Sequence, residues 1–360
     1  MNSLRLLACI AVLSSSCAAQ LPPVYVTHTK RAEEAITRGQ FRECADALQQ
    51  AAAAASSPEY HDEALYRRAH CLFRAGDDAT ALAELRQLST HPGPRQARAA
   101  FDAALRELDT SERAAADLLA AVVRFQDSGV ARAALERVLV HEKRRAGRAA
   151  ELALMTRVLP QLHDPILREF GLFHHAVLLK DLGQLVLARD QFAALAHHYP
   201  YPTGRYWDEA TIACANLTSQ LGDTPTAISQ LVGMLAQREQ AELIGSYERS
   251  YAEARFALAV LYEQSKRWQN AYTEYLRVTR DYPTSQLRDD AAWQAARLAA
   301  RNTDVVRACT AAHLLQTEVP ASMYTPCLSH VCSDMKPNAA CHTYLLERTS
   351  VAPAEQPAND

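Results

Sequence analysis

Residues 176–200 read AVLLKDLGQLVLARDQFAALAHHYP. Apolar residues recur at helical spacing on both sides of Gly183, which describes two helices with a break between them. Glycine at the end of the first helix supplies the left-handed residue that stops it. Pro200 stops the second, because proline cannot continue a helix and restricts the residue before it. Ala176 and Ala188 are small and let the two backbones approach. Phe192 fills the space towards whatever follows.

The same phrase recurs along the chain. It reads AITRGQFRECADALQQA at 35–51, AHCLFRAGDDATALAELRQL at 69–88, ACANLTSQLGDTPTAISQL at 213–231 and AVLYEQSKRWQNAYTEYLRVTRDYP at 259–283. Gly39, Gly76, Gly183 and Gly222 occupy the turn, with Lys266 in that place in the last copy. Ala32, Ala69, Ala176, Ala215 and Ala259 each precede the turn residue by the same interval. A period of roughly 40 residues with a helical hairpin in each copy is the mark of a repeat array. Weaker hairpins fit 95–126, 129–159 and 285–317, so the expectation is an all-α solenoid of about eight hairpins over residues 30–317.

This pattern resembles the tetratricopeptide repeat (TPR). The resemblance implies antiparallel hairpins stacked into a superhelix whose concave face is built from the first helix of each pair. The phrases HHYPYPTGRYWDEA (197–210) and RDYPTSQLRDDAAWQAA (280–296) narrow it. They are similar to the repeats of BamD-like outer-membrane lipoproteins and of the periplasmic Tol–Pal protein, over residues 165–300 at best. The family comparison implies a non-enzymatic scaffold for envelope assembly or maintenance. Its partners would be peptide segments or other envelope proteins.

Composition agrees with helices and excludes some alternatives. Glycine is scarce, 11 of 360, which leaves few residues for phosphate-cradling loops. The formal net charge of −3 gives no bulk electrostatic attraction for nucleic acid. There is no HExxH, GxSxG or GxxxxGK[ST] motif, and no cofactor is implied. The adjacent pairs His174-His175 and His197-His198 diverge by ~100° on a helix and do not chelate together.

The N-terminus, MNSLRLLACIAVLSSSCAAQ, has one basic residue and then an apolar run too short to span a membrane. It reads as a signal peptide over 1–17, followed by a linker over 18–29. Two cleavage readings stand. Cys17 is the lipidated cysteine of a lipoprotein, or a signal peptidase cuts after Ala18 or Ala19. The first places the protein on the periplasmic face of the outer membrane, held by its N-terminal lipid. The second leaves it in the periplasm or secreted.

An exported chain oxidises its cysteines. In a TPR stack, Cys44 on the second helix of one hairpin meets Cys71 on the first helix of the next, so a Cys44–Cys71 disulfide is expected. Cys309, Cys327, Cys332 and Cys341 cluster near the end, the last three in a Cys-rich segment over 318–345, ahead of a Pro/Ala-rich tail expected to be disordered over 346–360. With His330 and His342 they read C-x2-H-x-C-x8-CH, which fits no common zinc module. Two disulfides are the expected outcome, paired Cys309–Cys327 and Cys332–Cys341; reactive thiols are the alternative. Cys214 reads as a core residue. By TPR register the concave groove is lined by Tyr66, His70, Phe73 and Arg74, then Phe173, Val177 and Lys180. Asn216, Ser219 and Gln220 follow, and Phe256, Val260 and Glu263 complete it.

Overall fold

The computed structural model describes residues 21–111, 113–240 and 248–347. Cys17, both cleavage sites and most of the 346–360 tail lie outside the described residues. No strand occurs among them. They form sixteen successive helices, followed by a short C-terminal segment.

The chain divides into two compact units at His141/Glu142. The first holds α1 (Pro23–Thr37), α2 (Phe41–Ala53), α3 (Pro58–Arg74), α4 (Asp78–Thr90), α5 (Gln96–Glu107) and α6 (Ala114–Arg124). The boundary falls within α7 (Ala131–Ala146). The second unit continues with α8 (Arg148–Val158), α9 (Pro165–Asp181), α10 (Leu185–His198), α11 (Trp207–Gln220) and α12 (Thr224–Gln240). It closes with α13 (Glu248–Gln264), α14 (Trp268–Asp281), α15 (Arg288–Arg301) and α16 (Val305–Glu318). A 3₁₀ turn (Thr325–His330) and the one-turn α17 (Thr343–Glu347) end the described chain.

Within each unit, helices pack on their neighbours in sequence, from α1 to α6 and from α8 to α16. The facing alanines make this possible: Ala32, Ala69, Ala81, Ala176, Ala188, Ala215, Ala227, Ala259 and Ala271 are all fully buried. Large residues fill the gaps between them, among them Leu48 and Leu85 in the first unit and Phe192 and Tyr275 in the second.

The turn inside a pair has one recurrent chemistry. The N–H groups of Gln40, Asp77, Gln184, Asp223, Arg267 and Asp304 reach back five residues to a carbonyl of the helix just ended. This Schellman closure needs a left-handed residue before the donor. Glycine supplies it in four of the six; Lys266 (φ 60°) and Thr303 (φ 59°) supply it without glycine's freedom. Asp77 and Asp304 then accept from the backbone N–H three residues on and cap α4 and α16.

The weaker hairpins at 95–126 and 285–317 correspond to α5/α6 and α15/α16, and α7 and α8 fall within 129–159. The linker assigned to 18–29 is corrected: α1 starts at Pro23, inside it. Proline suits the first helical position because its missing N–H would be unpaired there anyway. Tyr25, Ala32 and Ala35 then form the buried stripe of α1.

Candidate protein-binding face

In the first unit, α3 presents Tyr66, His70 and Phe73 on one face, at spacings of four and three. Arg98, Asp102 and Arg106 of α5 lie opposite, with Arg95 just ahead of that helix. The Tyr66 hydroxyl donates to Asp102 Oδ2 at 2.5 Å, and Arg98 Nε donates to the Tyr66 hydroxyl at 3.2 Å. His70 Nε2 lies 3.4 Å from the same carboxylate. Arg95 sits 5.0 Å over the Tyr66 ring and pairs with Glu63. Arg106 sits 4.8 Å over Phe73 and pairs with Asp78, and Arg74 lies 4.1 Å over Phe41.

Electrostatics set the protonation of Tyr66 and Asp102. Burial pushes the Tyr66 phenol up, and the Asp102 carboxylate pushes it further, to about 12. It therefore remains a donor at neutral pH. Burial alone would raise Asp102, but hydrogen bonds from His70 and Tyr66 and the Arg98 charge outweigh it and hold the carboxyl below its usual range. The side chains of His70, Arg98 and Arg106 keep 47, 47 and 50% of their surface in solvent. They are prepositioned by their neighbours and still open to a partner. Arg95, Arg98, Asp102 and Arg106 were absent from the sequence-derived groove, because α5 carries no turn glycine to set its register.

The second unit treats its assigned groove residues differently. Asn216 and Gln220 are exposed, while Ser219 pairs with Thr224 Oγ1 at 3.1 Å. Val177 and Lys180 are half-buried. The Phe173 ring stacks on Tyr206 (4.6 Å, 15°) and meets Phe192 edge-on. Val260 packs against the core, and Glu263 accepts from the Tyr275 hydroxyl at 3.2 Å. Phe256 is a correction: it is 2% exposed and packs edge-on against Tyr275 at 5.3 Å. The small residues Ala252, Ala259 and Ala271, all fully buried in the same core, leave room for the ring. It is not part of a groove.

The cysteines complete the picture. Cys44 and Cys71 form a disulfide between α2 and α3. At the C-terminus the bonds are Cys309–Cys332 and Cys327–Cys341, which corrects the expected Cys309–Cys327 and Cys332–Cys341 pairing. The 3₁₀ turn redirects the chain at Cys327, so that Cys332 meets Cys309 with Cα atoms 4.8 Å apart. Asp334 lies beside Cys309 and Cys332, but sulfurs tied in a disulfide are not thiolate ligands. Cys214 is free and buried in the α9–α11 core, and burial pushes its thiol up, away from reactivity.

Paired antiparallel helices, facing alanines and Schellman turns define an array of TPR type. The tetratricopeptide repeat family model matches residues 63–93, in α3/α4, and 253–285, in α13/α14. The chain thus carries tetratricopeptide repeats. No curated protein matches the sequence. Among solved structures, a tetratricopeptide repeat protein from Parabacteroides merdae is 14% identical, covering 71% of this chain and 93% of that one, with a TM-score of 0.32. The apo form of RapI is 10% identical over 85% of this chain and 80% of its own (TM-score 0.43). A Rap protein complexed with competence and sporulation factor is 11% identical over 90% of this chain and 86% of its own (TM-score 0.40).

Proposed function

We propose that this chain is an exported, non-enzymatic scaffold that holds peptide segments or other envelope proteins, tethered to the outer membrane through Cys17. One observation carries the binding role: the half-exposed, hydrogen-bonded face of Tyr66, His70, Phe73, Arg98 and Arg106 in the first unit. Aromatic and arginine side chains dominate the energetics of protein contacts. Here their geometry is set in advance by Asp102, Glu63 and Asp78, so binding loses little side-chain freedom. The arginines favour segments bearing carboxylates, which a guanidinium fork holds with two bonds. The export and anchoring parts rest on the signal-like N-terminus and on the similarity of 165–300 to BamD-like and Tol–Pal repeats.

The test is a photo-crosslinking residue at His70 in the full chain, expressed in a Gram-negative host. A discrete adduct that is weakened by Arg98→Ala with Arg106→Ala supports the binding face. Absence of any adduct, or one indifferent to both substitutions, overturns it. Cys17→Ser should move the protein from the outer-membrane fraction to the soluble one; unchanged fractionation would refute the anchor.

A further inference from the structure

Three places in the array share one contact. The residue just ahead of a helix lies on an aromatic ring of the preceding first helix and bonds an acid three or four residues before that ring. Arg95 does so on Tyr66 and Glu63. Tyr206 stacks on Phe173, and its N–H donates to Glu169 Oε1 at 2.9 Å. The third case lies beyond the last hairpin. Tyr324, just ahead of the 3₁₀ turn, stacks on Trp293 of α15 (5.2 Å, 8°), and its hydroxyl donates to Asp290. Ser322 Oγ donates to Asp289 Oδ2 at 3.1 Å beside it. Residues 319–347 therefore occupy the seat that a further repeat would take.

Their hold on it is covalent. The segment has one 3₁₀ turn and a single helical turn, too little regular structure to stand alone without staples. Cys309–Cys332 ties it to α16, and Cys327–Cys341 closes it on itself. Cys309, Cys327 and Cys332 are buried; Cys341 is partly open to solvent. The segment also fits its seat imperfectly. Trp293 Nε1 and, one turn further along α15, Arg297 Nε and Nη1 are buried without a hydrogen-bond partner among the described residues. Donors left in that condition favour a replacement that brings an acceptor.

We propose that residues 319–347 are an intrachain ligand locked by disulfides, and that their reduction opens the Trp293 seat to a tyrosine-bearing segment of a partner. The reductant is a dithiol protein. Its thiolate attacks Cys341 Sγ, and Cys327 leaves with the bonding pair and takes up a proton. The second thiol then displaces Cys341, so two electrons pass to the cysteines and the dithiol becomes a disulfide. Cys309–Cys332 follows by the same exchange once the segment loosens.

The experiment uses the full chain with Trp207→Phe and Trp268→Phe, leaving Trp293 as the reporter. Dithiothreitol should red-shift its emission while helical ellipticity persists. Excess synthetic peptide of residues 319–328, with serine at 327, should reverse the shift; the same peptide with Tyr324→Ala should not. Unchanged emission when mass spectrometry shows all four C-terminal cysteines reduced overturns the lock. A shift that no peptide reverses overturns the seat. Should the tryptophan variant fail to fold, limited proteolysis of the unaltered chain decides: cleavage between 319 and 324 should appear only on reduction, and protection in both states refutes release.

Discussion

The Cys44–Cys71 bond offers the sharpest quantitative test. It joins α2 to α3, so it staples the first helical pair to the second. Replacing both residues by alanine removes a cross-link over a sequence separation of 27. The chain-entropy expression for a loop of that size gives ~3.5 kcal/mol at 25 °C. Cys44 and Cys71 are 0 and 3% exposed, so each alanine also leaves an unfilled sulfur site. Each such site costs about 1 kcal/mol. The expected total is ~5.5 kcal/mol, with ~3.5 as the floor if the core collapses fully around the smaller residues.

Hydrogen exchange read by mass spectrometry is the right assay, because repeat arrays open locally and a single global transition would blur the effect. Peptides from α2 and α3 should exchange ~300-fold faster or more, at 1.4 kcal/mol per decade. Peptides from α9 and α10 should be unchanged, since repeat stability couples through nearest neighbours. Acceleration below about tenfold in α2 and α3 would refute the reasoning. So would rapid alkylation of both thiols in the native, unreduced protein.

Lys266→Gly should raise the urea midpoint by the equivalent of ~1 kcal/mol, because it relieves a left-handed residue (φ 60°) at a Schellman turn; an unchanged or lower midpoint would count against the turn. Phe256→Ala should cost ~3–5 kcal/mol of stability as a core deletion, whereas His70→Ala, on an exposed helix face, should stay within ~1 kcal/mol; equal small effects in denaturant titrations would return Phe256 to the surface. Acid should loosen α8–α10. Burial draws His175 below its ordinary value, so the fold disfavours its protonation and stability falls as pH drops through ~6.5. Burial alone would raise Glu151, but His174 and Arg148 outweigh it and hold the carboxyl low, so its stabilisation is present above the ordinary carboxylate range and is lost as pH falls through the folded value. Glu151→Gln should flatten the lower part of that profile in thermal melts recorded from pH 7 to 3; an unaltered profile would refute the pairing.

Much of the architecture was legible because it depends on residues with few substitutes. A left-handed turn residue and two facing alanines constrain the backbone, so Gly183, Ala176 and Ala188 locate a hairpin with no help from its neighbours. Thr303 and Lys266 show the limit of this logic: they hold the same conformation, yet neither residue type signals it, and only the flanking pattern set their register. Three of the four C-terminal cysteines, Cys327, Cys332 and Cys341, lay beyond any repeat. Four cysteines allow three pairings, and the choice turned on a 3₁₀ turn at Thr325–His330 that leaves no periodic trace.

The groove was harder for a different reason. Helix periodicity separates a buried face from a solvent face only when the helix has one of each. On α13 every residue from Ala254 to Ala259 is buried, and on α15 every residue from Ala291 to Ala299. Phe256 and Trp293 therefore look the same in sequence as Tyr66, which is half exposed. What divides them is what covers each ring, and for Phe256 that is Tyr275 of its own helical pair. Arg95 covers Tyr66 with a charged group that leaves its neighbours His70 and Arg98 in water, whereas Tyr324 buries Trp293 under a second ring. Sequence register assigns a position to a face. Whether that face stays open depends on what covers it some thirty positions on, a charged group over Tyr66 and a second ring over Trp293.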